Sequence, residues 1–272
     1  MIPTLMKRSA GSLRQALTPS GGGSPSARLA SIPALQRPAL YRIVRAIKLL
    51  RRTAAERLGV DRFSKPSLGH LEPRLAAYLS NSGGVFVEAG AYDGYWQSNT
   101  YWLERFRGWT GVLIEPMPDL AASARRTRPQ SQVFQCALVA ADSNIDALPM
   151  LYAGTMSMVR GVWGSPESER ERATHGASLA QATPREIVVP ARTLSAVLDE
   201  AGVTSIDFMS LDVEGYEIEV LRGLDLDRHA PGILLVEMLD EKRNRPAIEQ
   251  VIGSRYALDA KISDLDYVYR RL

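Results

Sequence analysis

The sequence predicts an α/β fold: a mostly parallel sheet with helices on both faces. Three observations carry it. Short, continuously apolar runs recur at "VFVEAG", "GVLIEP", "SQVFQCALV", "IDFMSLD" and "GILLVEM". Helical segments alternate with them: "SNTYWLERFRG", "PDLAASARRTR", "TLSAVLDEAG" and "YEIEVLRGL". Strands without polar alternation are buried on both faces, as parallel sheets are. Finally, "RYALDAKIS" and "DLDYVYRR" close the chain as a strand pair joined by a Ser-Asp turn.

In chain order, residues 1–38 contain "TPSGGGSPS" and scattered prolines. Such a stretch buries too little to offset its ordering entropy, so a flexible basic tail is expected. Its Arg- and Ser-rich, acid-free composition also suits a mitochondrial transit peptide, although a disordered tail is the preferred reading. Residues 39–69 read as a basic amphipathic helix and linker. Leu40, Ile43, Ile47, Leu50, Ala54 and Leu58 keep helical spacing, while Arg42, Arg45, Lys48 and Arg52 occupy another face. Such a helix either lies on an anionic membrane surface or packs its stripe on the domain. The domain proper is expected over 70–272, and no internal repeat is visible. After the third strand, "ALPMLYAGTMSMVRG" reads as extra strand material. The polar stretch "GSPESERERATHGASLAQATP", about 164–184, reads as an unstructured insert, either a lid or disordered.

The chain has 272 residues with 45% apolar and 23% charged, a soluble globular composition. The single cysteine excludes an internal disulfide framework and fits a reducing, cytoplasmic compartment. No apolar run approaches the ~18 residues of a membrane span. The net charge of +3 hides a partition: residues 1–55 hold ten of the 33 Lys and Arg and none of the 30 acids. The acidic remainder disfavours diffuse nucleic-acid binding.

Ligands of open parallel sheets bind outside the carboxyl ends of the strands. Acids stand at four such ends: Glu88, Glu115, Asp212 and Glu237. A pyrophosphate-binding turn needs G-x-G-x-x-G, but here Ala91 and Tyr92 stand where the second glycine should fall in Gly90-Ala91-Tyr92-Asp93-Gly94. A like-charge contact of Glu88 or Asp93 with phosphate at 4 Å costs roughly 4 kcal/mol at an effective dielectric near 20. NAD is therefore a poor fit, and with it a nucleotide-sugar oxidoreductase. S-adenosylmethionine has no phosphate and offers cations to those acids. Glu115, 21 residues beyond Gly94, is placed for its ribose diol.

Two stretches, "VEAGAYDGYWQSNTYWLERFRGWTGVLIEP" and "SIDFMSLDVEGYEIEVLRGLDLDRHAPGILLVEM", make the sequence resemble the FkbM-type family of class I S-adenosylmethionine-dependent methyltransferases over about residues 70–272. "SLDVEGYEIEVLRG" is the more specific part; Tyr92 and the polar insert depart from the pattern. The resemblance implies a Rossmann-like seven-stranded sheet, order 3-2-1-4-5-7-6, with the last strand pair antiparallel. It also implies methylation of a hydroxyl on a sugar, glycolipid or secondary metabolite. Glu88, Gly90 and Gly94 would line the methionine end with Tyr92 beside them, Glu115 would hold the ribose, and Ala137 would lie near adenine. Asp212 would face the methyl group and the acceptor. A non-catalytic, membrane-associated S-adenosylmethionine-binding module is the rival reading.

For catalysis, Asp212 is the expected base, and Glu237, on the adjacent strand end, would orient the acceptor or share a Mg²⁺. His175 in the insert is the alternative base. His70 and His229 are expected away from the chemistry. Glu217 reads as a first-turn helix acid, Gly215 as a relaxed turn, and Cys136 as inert. Trp96, Tyr101, Trp102, Phe106 and Trp109 are expected in the core rather than as an acceptor-stacking platform.

Overall fold

A computed structural model describes residues 37–80 and 82–272. The expected flexible tail lies outside the described residues, except for its last two positions. The chain divides into two compact units between Ala54 and Ala55. Most of helix α1 (Arg37–Arg57) belongs to the first. Residues 55–69, the end of the expected helix and its linker, belong to the second unit: Glu56 accepts hydrogen bonds from Ser64 and Tyr101 (2.7 Å each) and from Arg105 (3.0 Å).

The second unit continues through α2 (Glu72–Leu75), β1 (Val85–Ala89), α3 (Tyr101–Arg107), β2 (Thr110–Ile114), α4 (Pro118–Thr127) and β3 (Gln132–Phe134). Next come β4 (Ala137–Leu138), β5 (Ala147–Tyr152), β6 (Met158–Val159), α5 (Pro166–Ala180), β7 (Arg185–Arg192) and α6 (Leu194–Ala201). It ends with β8 (Phe208–Leu211), α7 (Glu217–Arg222), α8 (Leu226–His229), β9 (Ile233–Glu237), α9 (Glu241–Ile252), β10 (Tyr256–Lys261) and β11 (Asp266–Arg271).

The main sheet has the order β3-β2-β1-β8-β9-β11-β10. Counted along the sheet's own strands this is 3-2-1-4-5-7-6, the order the resemblance implies. Every pairing is parallel except those of β11, which runs antiparallel to β9 and β10. Both faces are covered: Val87, Ala89, Met209 and Leu234 pack into one apolar cluster, Phe86, Phe208 and Leu235 into another. Such two-sided burial requires the unbroken apolar runs seen in the sequence.

Three expectations need correction. "SQVFQCALV" is not one strand: β3 pairs with β2 as far as Phe134, whose carbonyl takes the N–H of Glu115 (3.1 Å). Pro116 follows and has no N–H to offer, so the ladder stops there. The chain then leaves as β4 into a second sheet, order β4-β7-β5-β6. β7 had no assignment in the sequence. The polar insert is not unstructured; most of it is α5, with Ser165 capping the N–H of Ser168 (3.2 Å) and Pro166 in the first turn. Helix α9, begun by Asp240 accepting from the N–H of Arg243 (3.2 Å), was also unassigned. Among the described residues no helix is long and apolar enough to cross a membrane.

Candidate active site

The carboxyl ends of β1, β2 and β8, with segments of the second sheet, line an open cleft. Gly90, just after β1, has φ +86°, and a Cβ there would stand 1.8 Å from the carbonyl oxygen of Asp212. Only glycine lets the β1 turn pass this close to the β8 turn. The N–H groups of Gly90 and Ala91 both reach Ile114 O (3.0 and 3.1 Å), which ties the turn to the end of β2.

Glu115, one residue beyond the last β1–β2 pair, completes that tie. Its Oε2 accepts from the N–H of Tyr92 (2.8 Å) and its Oε1 from that of Met117 (2.9 Å). Burial pushes its carboxyl up to about 8, the two N–H donors opposing this and Asp119 and Asp93 adding repulsion. Gly90, Tyr92, Glu115 and Ala137 all line the cleft. Cys136 lines it too, its thiol pushed up to about 11 by burial and so held protonated.

Glu88 and Gly94 are placed elsewhere. Glu88 lies on the Phe86 face of β1, under the turn, and accepts from Ser98 Oγ (2.8 Å), the N–H of Asn99 (2.8 Å) and Thr100 Oγ1 (2.6 Å). Arg128, with no exposed surface, stands 3.7 Å from Glu88, bonds Glu104 at 2.7 Å, and reaches Gly94 O and Ser98 Oγ at 3.3 Å. Glu88 therefore helps hold the lead into α3 instead of meeting a cationic ligand. At Gly94 (φ +79°) a Cβ would meet Arg128 Cγ at 2.9 Å and Ala124 Cα at 3.0 Å, so this glycine serves the approach of α4.

At the other lip, Asp212 and Glu237 stand at the ends of the adjacent parallel strands β8 and β9, close enough for the charge of Glu237 to act on Asp212. Burial is the main cause that raises both carboxyls, Asp212 well above the usual range and Glu237 to about 7. Asp212 also feels the charge of Glu237 and Glu214, and Glu214 pushes Glu237 upward. Among the described residues no group of three or more His, Cys, Asp or Glu side chains is arranged to hold a metal. Mg²⁺ is usually held by one or two carboxylates with waters completing its shell, so Asp212 and Glu237 are the residues that would hold one; no step below runs through a metal.

Glu217 accepts the N–H groups of Val213 and Gly215 (3.1 Å each), fixing the turn from inside the first turn of α7. Burial lifts it to about 7. Glu214, at φ +58° on the cleft wall, forms an ion pair with Arg172 of α5, which stacks over Trp163 at 4.1 Å. The sequence gave no reason to single out Arg172. His175 is exposed on the same helix and does not line the cleft, which removes it as the alternative base. His229 is buried against Asp199 (Nε2 to Oδ1, 3.1 Å), ahead of β9 and not at its carboxyl end. Tyr101, Trp102 and Trp109 are core residues, but Trp96 is 51% exposed and lines the cleft, contrary to expectation.

Such a strand order, with a glycine turn at its centre, is that of the class I S-adenosylmethionine-dependent methyltransferases. The sequence matches the Methyltransferase FkbM domain over residues 88–269. The chain belongs to the FkbM methyltransferase family. No curated protein matches it. Among solved structures it is similar to methyltransferase FkbM from Methylobacillus flagellatus KT, with 14% identity and a TM-score of 0.43. That match covers 72% of this chain and 45% of the other, so the chain spans less than half of that protein. A TehB-like SAM-dependent methyltransferase from Corynebacterium glutamicum is 13% identical, covering 86% of this chain and all of that one, at a TM-score of 0.40. An O-methyltransferase from Bacillus cereus, in complex with SAH, is 12% identical over 74% of this chain and 78% of its own, at 0.39.

Proposed function

We propose that this methyltransferase acts on oxygen, methylating a hydroxyl of a sugar, glycolipid or secondary metabolite, with Asp212 and Glu237 as a joint proton acceptor. The supporting observation is the pair of acids at the adjacent ends of β8 and β9, with Asp212 on the cleft wall beside the turn that packs on Gly90. Oxygen nucleophiles must shed a proton during attack, and a base within hydrogen-bond reach is the device for it.

S-adenosylmethionine, when bound, supplies a methyl carbon activated by a sulfonium. Glu115 receives the ribose hydroxyls on the lone pairs its two N–H donors leave open. Gly90 and Tyr92 border the methionine end, and Ala137 borders the adenine. Asp212 lines the cleft and so meets the acceptor. As the C–O bond forms, the methyl–sulfur bond would break and S-adenosylhomocysteine would leave with its sulfur neutral, while the hydroxyl proton passes to Asp212 and Asp212 hands its own proton to Glu237. Protons balance, and no extra charge accumulates at the reacting oxygen. The relay requires Glu237 to start ionised, so turnover should rise with pH through about 7.

The test is transfer of labelled methyl from S-adenosylmethionine to a panel of glycosides, glycolipids and phenols, run across pH. Asp212→Asn should lower turnover by ~10²-fold or more while cofactor affinity stays within a few-fold. Glu237→Gln should remove the rise near pH 7. Cofactor binding without transfer to any acceptor would favour the non-catalytic binding module. Preference for NAD over S-adenosylmethionine in calorimetry would favour the oxidoreductase. Cofactor affinity falling in step with rate would make Asp212 a cofactor ligand.

A further inference from the structure

The turn after β1 brings two aromatic residues, Tyr92 and Trp96, to the cleft wall. Tyr92 (φ +50°) and Gln97 (φ +62°) are both left-handed without being glycine, conformations that cost of order 1 kcal/mol or more each. Several bonds hold them there. Asp93 Oδ1 accepts from the N–H groups of Tyr95 (3.0 Å) and Trp96 (2.8 Å). Tyr95 Oη donates to Phe63 O (2.7 Å), and Gln97 bridges to Ser67. Arg128 anchors the turn from beneath through Gly94 O and Ser98 Oγ. Backbone held this firmly fixes where the Trp96 side chain leaves the turn. Trp96 is 51% exposed, whereas Trp102 and Trp109 are 4% and 1% exposed. The cleft wall it shares carries Gln97, Thr155 and Glu214, polar groups with amide, hydroxyl and carboxylate functions.

We infer that Trp96 is a specificity-determining platform for the acceptor, and that the acceptor it selects is a pyranose. A sugar ring is amphipathic: its C–H face packs on an aromatic plane while its hydroxyl edge seeks amides, hydroxyls and carboxylates. Trp96 offers the plane and its neighbours on the cleft wall offer the polar partners. A flat aromatic acceptor would offer no partner to the Gln97 amide or the Thr155 hydroxyl on that wall. This inference rests on the methyl-transfer reading above and narrows its acceptor class.

The experiment titrates methyl glycosides of several hexoses into the full chain saturated with S-adenosylhomocysteine, and follows tryptophan fluorescence. The accepted glycoside should change the emission of the wild type, and Trp96→Phe should lose that change. In steady state, Trp96→Ala should raise KM for that glycoside about five- to tenfold, the scale of one aromatic contact, with kcat little changed. Trp96→Phe should recover most of the loss and Trp96→Leu should not. Calorimetry should give S-adenosylhomocysteine the same affinity within twofold in all three variants. Weakened S-adenosylhomocysteine binding would make Trp96 a cofactor wall and overturn the inference. Unchanged glycoside KM in Trp96→Ala would overturn it too, as would transfer to phenols with no glycoside accepted; that last result leaves methyl transfer standing. Absence of cofactor binding would instead refute the methyl-transfer reading, and a fluorescence response to glycosides alone would still support the platform.

Discussion

Glu115 and Glu217 are both buried carboxyls held by two backbone N–H groups, yet they do different work. Glu115 faces the cleft, and a carboxylate–hydroxyl bond is worth ~1.5–3 kcal/mol. Glu115→Ala should therefore weaken S-adenosylmethionine and S-adenosylhomocysteine roughly 10- to 150-fold in calorimetry; unchanged affinity would remove it from the ribose. Glu217 has no such ligand, so its effect is on stability. Its folded value near 7 lies above the ordinary 4.5, so between those limits the folded chain binds the extra proton. The stabilisation is complete below pH ~4.5 and is lost as pH rises through about 7, at up to about 1.4 kcal/mol per unit of pH. Glu217→Gln, measured by urea unfolding at several pH values, should flatten this decline. An identical decline in the variant would assign the pH dependence to other groups. At this scale sequence reading separated Glu115 from Glu88 poorly, because both end strands. Glu115 lies past the last paired residue, in the turn, whereas Glu88 is still within the ladder and shares the face of Phe86. Strand parity carried the distinction, but the hydrogen-bond partners of Glu88 come from residues 10 to 12 further along and from Arg128, 40 residues away.

Among the elements, the buried strands were legible because two-sided burial writes itself as an apolar run. α5 was not, for a physical reason: its buried face is Ala173, Gly176 and Ala177. Added Cβ atoms at Gly154 and Gly176 would fall 2.2 Å from Ala180 Cβ and 2.5 Å from Ala153 O, so the helix sits too close for large side chains. A search for bulky apolar residues passes over such a helix, although Ser165, Pro166 and two first-turn acids announced its start. Its tie to the cleft is the Arg172–Glu214 ion pair, with both side chains mostly buried. Arg172→Ala leaves Glu214 without its cation, and the Glu214 carboxyl should rise further. The cost should be about 1–2 kcal/mol, between an exposed pair and a fully buried one. Hydrogen exchange should accelerate over residues 162–180 while β1 and β8 stay protected. Uniform exchange across the chain would mean that α5 is held by its small-residue packing alone.

On the scale of the molecule, charge is partitioned along the chain. Residues 1–55 carry ten positive charges and no acid, and the remaining 23 Lys and Arg face all 30 Asp and Glu. Across the junction, residues 37–57 form one continuous helix. In that helix Ile43, Ile47, Leu50 and Ala54 fall on one stripe and Lys48 off it, and the sequence continues the basic pattern at Arg42 and Arg45. An apolar stripe flanked by cations is the arrangement that lies in the plane of an anionic bilayer surface. We propose this peripheral contact, which would bring a lipid-linked glycan to the cleft. Each cation near such a surface contributes ~1 kcal/mol at low salt. Replacing Arg42, Arg45 and Lys48 with Gln should therefore cut partition onto phosphatidylserine vesicles by on the order of 100-fold. In 1 M salt the screening length drops to about 3 Å, and wild type and variant should converge. Vesicles of phosphatidylcholine alone should retain little of either. Equal sedimentation of both proteins with anionic vesicles at low salt would leave the stripe a packing surface for protein, and the acceptor would have to reach the cleft from solution.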